Sequence, residues 1–284
     1  MSKLKVAELF YSIQGEGRYM GVPSIFLRTF GCNFTCGGFG MQKGELSNER
    51  DSVAENINLY KSYKDLPLVS SGCDSYASWD PRFKHLSPVL STDSIAEAIN
   101  AMLPHQTWVD EHLVITGGEP LLGWQRAYPD LLEHDKMKNL RELTFETNGT
   151  QELTEEFWDY LFIDWTRHGR RYDRLTFSVS PKLSVSGEKW EEAIRPEVVK
   201  KYEHVGYTYL KFVVATKDDV KEAEKAVKQY RKAGFGGPVY LMPVGGVESV
   251  YTLNARTVAT LALEKGWRYS DRLQVPLFKN EWGT

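Results

Sequence analysis

Strands and helices alternate along the chain from about residue 90 to its end, and that alternation limits the fold more than any other feature. HLVIT (112–116), LTFET (143–147), LTFSVS (175–180), YTYLKFVV (207–214) and PVYLM (238–242) read as short strands. Helical periodicity fills the gaps between them. STDSIAEAINAML offers Ser, Thr or Asp as an N-cap and puts Ile95, Ala98, Ile99, Met102 and Leu103 on one face. LTEEFWDYLF starts at Thr154, KDDVKEAEKAVKQYRKAG stops at Gly234, and NARTVATLALEKG runs from a cap at Asn254 to Gly266. RLQV (272–275) reads as a last extended piece. Repeated strand–helix units imply a parallel sheet, either open and doubly wound or closed into a full or partial barrel. In both, ligands gather at the carboxyl ends of the strands.

Those ends are TGGEP after HLVI, ETNGT after LTF, SVSPK after LTF and MPVGG after VYL. Each alone reads as an ordinary turn. Together they give what a polar, extended ligand needs, because glycine lets backbone N–H and C=O groups approach it.

Composition removes other classes. Three cysteines in 284 residues exclude a disulfide framework and point to a reducing, cytoplasmic setting. The start, MSKLKVAELF, runs into SIQGEG without the apolar core of a signal peptide, and no stretch approaches the roughly 18 apolar residues of a membrane span. A net charge of −3 gives no general attraction to nucleic acid, and the basic run RHGRRYDR (167–174) reads as a solvated loop. No membrane or nucleic-acid partner is expected. With 42% hydrophobic residues the chain can bury a full core as one domain, 1–284, carrying an insertion.

Cys32 and Cys36 sit in GCNFTCGGFG, after the strand-like SIFLRTF, and the remaining cysteine, Cys73, follows after 36 residues. Three thiolates are one too few for the usual four-cysteine iron–sulfur cluster, and a cluster so held keeps one iron open to another ligand. A Cys3His zinc site with His85 uses the same thiols. Spacing alone leaves both open, with ordinary buried thiols as a third reading.

SIQGEG (12–17), GVPSIFLRTFGCNFTC (21–36), CDSYASW (73–79), TGGEP (116–120), ETNGT (146–150), SVSPK (178–182) and LKFVV (210–214) follow one another in an order that resembles the radical S-adenosylmethionine enzymes. Within them the chain resembles the 7-carboxy-7-deazaguanine synthase (QueE) family. The resemblance implies an α/β fold, a partial (β/α)6-type barrel. It also departs from the pattern. Relatives put the third cysteine two residues on, usually behind an aromatic residue; here Gly72 precedes Cys73, and about 34 residues are inserted, at about 38–71. Relatives often carry a Gln-x-His stretch near the end, where this chain reads LQVPLFKN with Pro276.

The implied activity is lyase chemistry: radical ring contraction of 6-carboxy-5,6,7,8-tetrahydropterin to 7-carboxy-7-deazaguanine with loss of ammonia. By resemblance, Cys32, Cys36 and Cys73 hold a 4Fe–4S cluster. Gly118, Glu119, Ser180, Pro181 and Lys182 meet S-adenosylmethionine, with Gly72 and Asp74 beside its adenine. Ile13, Gln14, Gly15, Glu16, Arg28 and Thr116 meet the pterin, and Ser75 meets Mg2+. Some have plainer readings: Lys182 as a solvated lysine, Glu16 and Ser75 as turn residues, and Arg28 as the partner of Glu16 or Glu119 in a salt bridge. An electron-donating reductase such as flavodoxin and a homodimer are also implied. A glycyl-radical activase and a zinc-stabilised binding protein are the alternatives.

Overall fold

The structure, a computed structural model, describes residues 2–165 and 174–284. The basic run RHGRRYDR lies outside the described residues except for Arg174, which pairs with Glu142 at 3.2 Å.

The strands are β1 (Lys3–Ile13), β2 (Pro23–Thr29), β3 (Val89–Ser91), β4 (His112–Gly117), β5 (Glu142–Thr147), β6 (Leu175–Val179), β7 (Tyr207–Val214), β8 (Val239–Pro243) and β9 (Arg268–Tyr269). The described residues form one nine-stranded sheet in the order β3-β1-β2-β4-β5-β6-β7-β8-β9. From β2 to β9 the pairing is parallel, while β1 runs antiparallel to both β2 and β3. Phe10 of β1 and Met242 of β8 border the same cavity, so the sheet curls around it. No ladder joins β3 to β9 among the described residues, and the barrel is partial.

Helices cover the outside: α1 (Glu49–Glu55), α2 (Thr92–Met102), α3 (Tyr128–Leu132), α4 (Glu155–Asp159), α5 (Pro196–Tyr202), α6 (Lys217–Lys232), α7 (Glu248–Lys265) and α8 (Gln274–Phe278). The Ser91 and Thr154 hydroxyls cap α2 and α4, and Thr216 with Asp219 forms a reciprocal cap on α6.

Two expectations need correction. Asn254 is not a cap: α7 begins two turns earlier, and the Asn254 amide donates to the carbonyls of Val244 and Val250, tying the helix to the end of β8. RLQV is not extended: Leu273 N–H donates to Gly15 O, and the chain turns there into α8. The eleven-residue β1 has no counterpart in the sequence reading. Its alternation is broken by an irregularity between Val6 and Glu8.

Alternation within the parallel strands decides what faces the helices. Ile25 and Leu27, Leu113 and Ile115, Leu143 and Phe145, Leu175 and Phe177, and Leu210 and Phe212 pack outward into one core with Ile99, Leu131, Phe157, Val198 and Val220. Residues one step out of phase face inward, and they are mixed: Arg28, Thr116, Glu146, Ser178 and Lys211 border the cavity together with the apolar Phe10, Phe26 and Val213. Ladder register sets Arg28 beside Thr116 and Glu146 beside Ser178. The charged and hydroxyl-bearing part of this interior is open to the cavity, while Phe10, Phe26 and Val114 form a small apolar cluster of their own.

Candidate active site

The cysteine loop leaves β2 at its carboxyl end. Gly31 O accepts from Glu119 N–H at 2.7 Å, so TGGEP lies directly against the loop. A Cβ on Gly118 would stand 2.4 Å from Gly31 O and 2.7 Å from Cys32 Cβ, a contact that only glycine allows. The Glu188 carboxylate accepts the N–H groups of Thr35 and Cys36 at 2.8 and 2.7 Å and fixes Cys36 at φ +48°. Cys32, Cys36 and Cys73 meet in one small apolar cluster with Phe34, Phe39 and Ala193, and all three border the cavity. The 36 residues between Cys36 and Cys73 thus loop out and return.

Burial pushes the Cys32 thiol up to about 12 and raises Cys36 and Cys73 as well. Lys182 works against these shifts. Phe34 N–H and Trp79 Nε1–H point at the sulfurs of Cys32 and Cys73, each at 3.4 Å. Three neighbouring sulfurs, two of them with an aimed N–H donor, suit a cationic group that keeps them ionised, and the cavity beside them leaves room for a further ligand. His85 does not belong to this set. It is exposed, contacts Arg82 O through Nδ1, and does not border the cavity, so the Cys3His zinc reading loses its fourth ligand.

Of the other residues singled out from the sequence, Ile13, Gln14, Gly15, Glu16, Arg28, Gly72, Asp74, Ser75, Thr116, Gly118, Ser180 and Lys182 border the same cavity. Glu119 and Pro181 do not. Glu119 is wholly buried beneath the wall, where its carboxylate accepts from Thr147 Oγ1, Asn148 N–H and Leu121 N–H at 2.8, 2.7 and 3.1 Å. Burial raises it to about 7 in spite of those donors. Its visible work is to lock TGGEP to ETNGT. Pro181 is buried behind Ser180.

The charges are paired in a way that the sequence did not reveal. Arg28 pairs with neither Glu16 nor Glu119. Its Nε donates to Glu8 at 2.9 Å and its Nη1 to Ser75 Oγ at 3.3 Å. Glu16 accepts from Lys211, from Arg272 at 3.2 Å and from Gln274 at 2.8 Å. Burial works against its charge, but Lys211 and Arg272 outweigh burial and hold it below the usual carboxylate range. Arg272 also donates to Asp74 at 2.5 Å, and Asp74 accepts from Ser75 Oγ at 3.2 Å. Contact therefore runs unbroken along Lys211, Glu16, Arg272, Asp74, Ser75, Arg28 and Glu8. Lys182 stands apart: among the described residues it contacts only Ser180 Oγ, at 3.2 Å.

Glu8, Glu146, Lys211 and Arg272 are the site residues the sequence reading missed. A lysine inside the apolar run YTYLKFVV was the available signal for one of them. The end of the chain contributes as well, since Asn280, Glu281, Trp282, Gly283 and Thr284 all border the cavity.

No family model matches the chain. It is 31% identical over 302 residues to the 7-carboxy-7-deazaguanine synthase of Halobacterium salinarum, covering 98% of this chain and 91% of the relative. To the synthase of Rhodopirellula baltica it is 27% identical over 299 residues, covering 100% and 90%. The crystal structure of QueE from Escherichia coli superposes with a TM-score of 0.56 at 20% identity over 95% of this chain and 94% of that one, which shows a common fold. Likeness over the whole length, rather than at the cysteine loop alone, separates the chain from the activase and zinc-protein alternatives: it belongs to the 7-carboxy-7-deazaguanine synthase family.

Proposed function

We propose that the protein is a radical S-adenosylmethionine lyase that converts 6-carboxy-5,6,7,8-tetrahydropterin to 7-carboxy-7-deazaguanine. The observation that carries this reading is the convergence on one cavity of three thiols, an arginine held beside a serine hydroxyl, and an ionised glutamate.

Cys32, Cys36 and Cys73 would hold a 4Fe–4S cluster. Bound there with S-adenosylmethionine, such a cluster would supply the radical chemistry that removes a hydrogen from the substrate carbon bearing the carboxylate. Lys182 is the lining cation without an ion-pair partner among the described residues, and it receives the cofactor's carboxylate as a point charge. Gly118 and Ser180 bring backbone and hydroxyl groups to the same ligand, and Gly72 and Asp74 flank its far end.

Arg28 is oriented by Glu8 and leaves Nη2 without a partner among the described residues, so it takes the pterin carboxylate. Ser75 shares that carboxylate's surroundings with Arg28 and would be a protein oxygen on Mg2+. Glu16 already accepts two bonds at Oε1 and one at Oε2. Its remaining acceptor position serves a pterin amino group, next to Gln14 and the backbone of Ile13 and Gly15. Thr116 lies beside Arg28 across the β2–β4 ladder.

The chain is read as one catalytic unit with an insertion, acting in the cytoplasm as a homodimer that receives electrons from a reductase such as flavodoxin. Among the described residues no helix is long and apolar enough to cross a membrane. Anaerobic iron–sulfur reconstitution followed by assay for 5′-deoxyadenosine and 7-carboxy-7-deazaguanine tests the reading. Cys73→Ala is expected to abolish both, as fully as Cys32→Ala. A Cys73→Ala protein that still formed 5′-deoxyadenosine would remove Cys73 from the site.

A further inference from the structure

The loop 13–16 and the loop that carries Cys73 belong to distant parts of the sequence, and one side chain spans them. Arg272 is buried, 8% exposed, just before α8. Its Nε donates to Glu16 Oε1 at 3.2 Å, its Nη1 to Gly245 O at 2.5 Å and its Nη2 to Asp74 Oδ2 at 2.5 Å. Every arm of the guanidinium is used, each on a different segment. Its own backbone is docked independently: Gly17 N–H donates to Ser270 Oγ at 2.9 Å and Leu273 N–H to Gly15 O at 3.1 Å. The guanidinium is therefore not needed to hold residues 270–273 against the first loop. What it adds is the tie to Asp74, which forms no other ion pair among the described residues.

We propose that Arg272 is a positioning residue for the reaction, setting the distance between the substrate loop at Glu16 and the cysteine loop at Asp74. The inference rests on the reading under Proposed function, where Glu16 meets the pterin and Asp74 lies beside the cofactor. Hydrogen transfer between two bound ligands tolerates little error, and a displacement of about 1 Å can cost on the order of a hundredfold in rate. A planar guanidinium that satisfies three acceptors at fixed angles is a suitable spacer. A lysine keeps the charge but reaches fewer of them. Removing the tie also takes from the half-buried Asp74 its one ion-pair partner among the described residues, which favours a shift of the loop that bears Cys73.

The test begins with the parent protein, whose ratio of 5′-deoxyadenosine to 7-carboxy-7-deazaguanine must first be measurable; no product from the parent would sink the functional reading itself. Given a working parent, Arg272→Lys is expected to keep its iron content and melting temperature close to the parent's. The ratio should rise about tenfold, and the pterin dissociation constant, measured by calorimetry on cluster-free protein, should rise about tenfold. A purely structural role predicts the opposite pattern, with melting temperature and iron content falling together while the ratio holds, and that result would overturn the proposal. If Arg272→Lys does not fold, Asp74→Asn removes the charge from the same tie at its other end. It should raise the ratio likewise, and an unchanged ratio there would equally refute the spacer role. Where both variants fold, Arg272→Lys added to Asp74→Asn should raise the ratio no further; additive effects would show that the two side chains act separately.

Discussion

Arg28 shows how one side chain's neighbours fix its task. Glu8 lies opposite Arg28 in the β1–β2 ladder, so the ion pair comes from strand register rather than from any nearness in sequence. With Nε committed to Glu8, only the outer end of the guanidinium is left for a ligand. Arg28→Lys keeps the charge and loses that geometry. A charged hydrogen bond contributes about 1.5–3 kcal/mol, so the Michaelis constant for the pterin should rise roughly ten- to a hundredfold while slow, uncoupled cofactor cleavage persists. Loss of both together, in steady-state assays of the two products, would give Arg28 a folding role instead. Ser75→Ala should shift the Mg2+ titration of activity to higher concentration, and an unchanged titration would remove Ser75 from the metal.

His112 makes a second prediction at this scale. It is wholly buried inside the barrel between Ser24 Oγ at 3.3 Å and Thr144 Oγ1 at 2.8 Å. Burial, with a smaller push from Arg18, lowers it from 6.5 to about 3. A lowered folded value means that its contribution to stability is complete above about pH 6.5 and is lost as the pH falls toward 3. The loss is on the order of a few kcal/mol. His112→Gln should flatten the acid side of a plot of melting temperature against pH, and an unchanged acid side would assign that instability to other groups.

Among the elements, the insertion and the tail behave as one body. Val53, Ala54, Tyr63, Leu66 and Val69 of the inserted region pack with Ala7, Tyr76 and Phe83 into a second, smaller core. Trp282 docks on it, its ring 5.5 Å from that of Tyr63 and 5.6 Å from that of Tyr76. Asn280 Nδ2 donates to Gly246 O at 2.9 Å, and the tail crosses the cavity mouth from there. Without the insertion the tail would lose the Tyr63 side of its anchor. Deleting residues 280–284, or replacing Trp282 by Ala, should raise the pterin Michaelis constant about tenfold or more while leaving iron content intact, since the half-buried Trp282 ring is what docks the tail on this core. Full activity in the truncated enzyme would make the tail mere surface.

These elements were unevenly legible. YTYLKFVV was read with its exact limits because a run of strand-forming residues and the flanking turns agree there. The start of α7 was misplaced because Val247 offers no side-chain cap, so a later asparagine looked better. β1 was missed because the irregularity after Val6 spoils its period, and the insertion packs in part against Trp282, more than 200 residues further on.

For the whole molecule, the sequence named the loops that build the site but not the charges that join them. Strand ends show which loops meet, because a parallel sheet delivers them all to one edge. Partners such as Glu8 for Arg28 or Arg272 for Asp74 depend on register and on chain return, neither of which leaves a local trace. The central claim is that this cavity removes a hydrogen from the carboxylate-bearing carbon of a pterin. The direct measurement uses 6-carboxy-5,6,7,8-tetrahydropterin deuterated at that carbon, with reconstituted enzyme, S-adenosylmethionine and reductant, and mass spectrometry of the products. Deuterium carried into the adenosyl group as 7-carboxy-7-deazaguanine forms is the expected result. Product formed with no deuterium in any adenosyl species, or labelled pterin left unconverted while 5′-deoxyadenosine accumulates, would contradict the account.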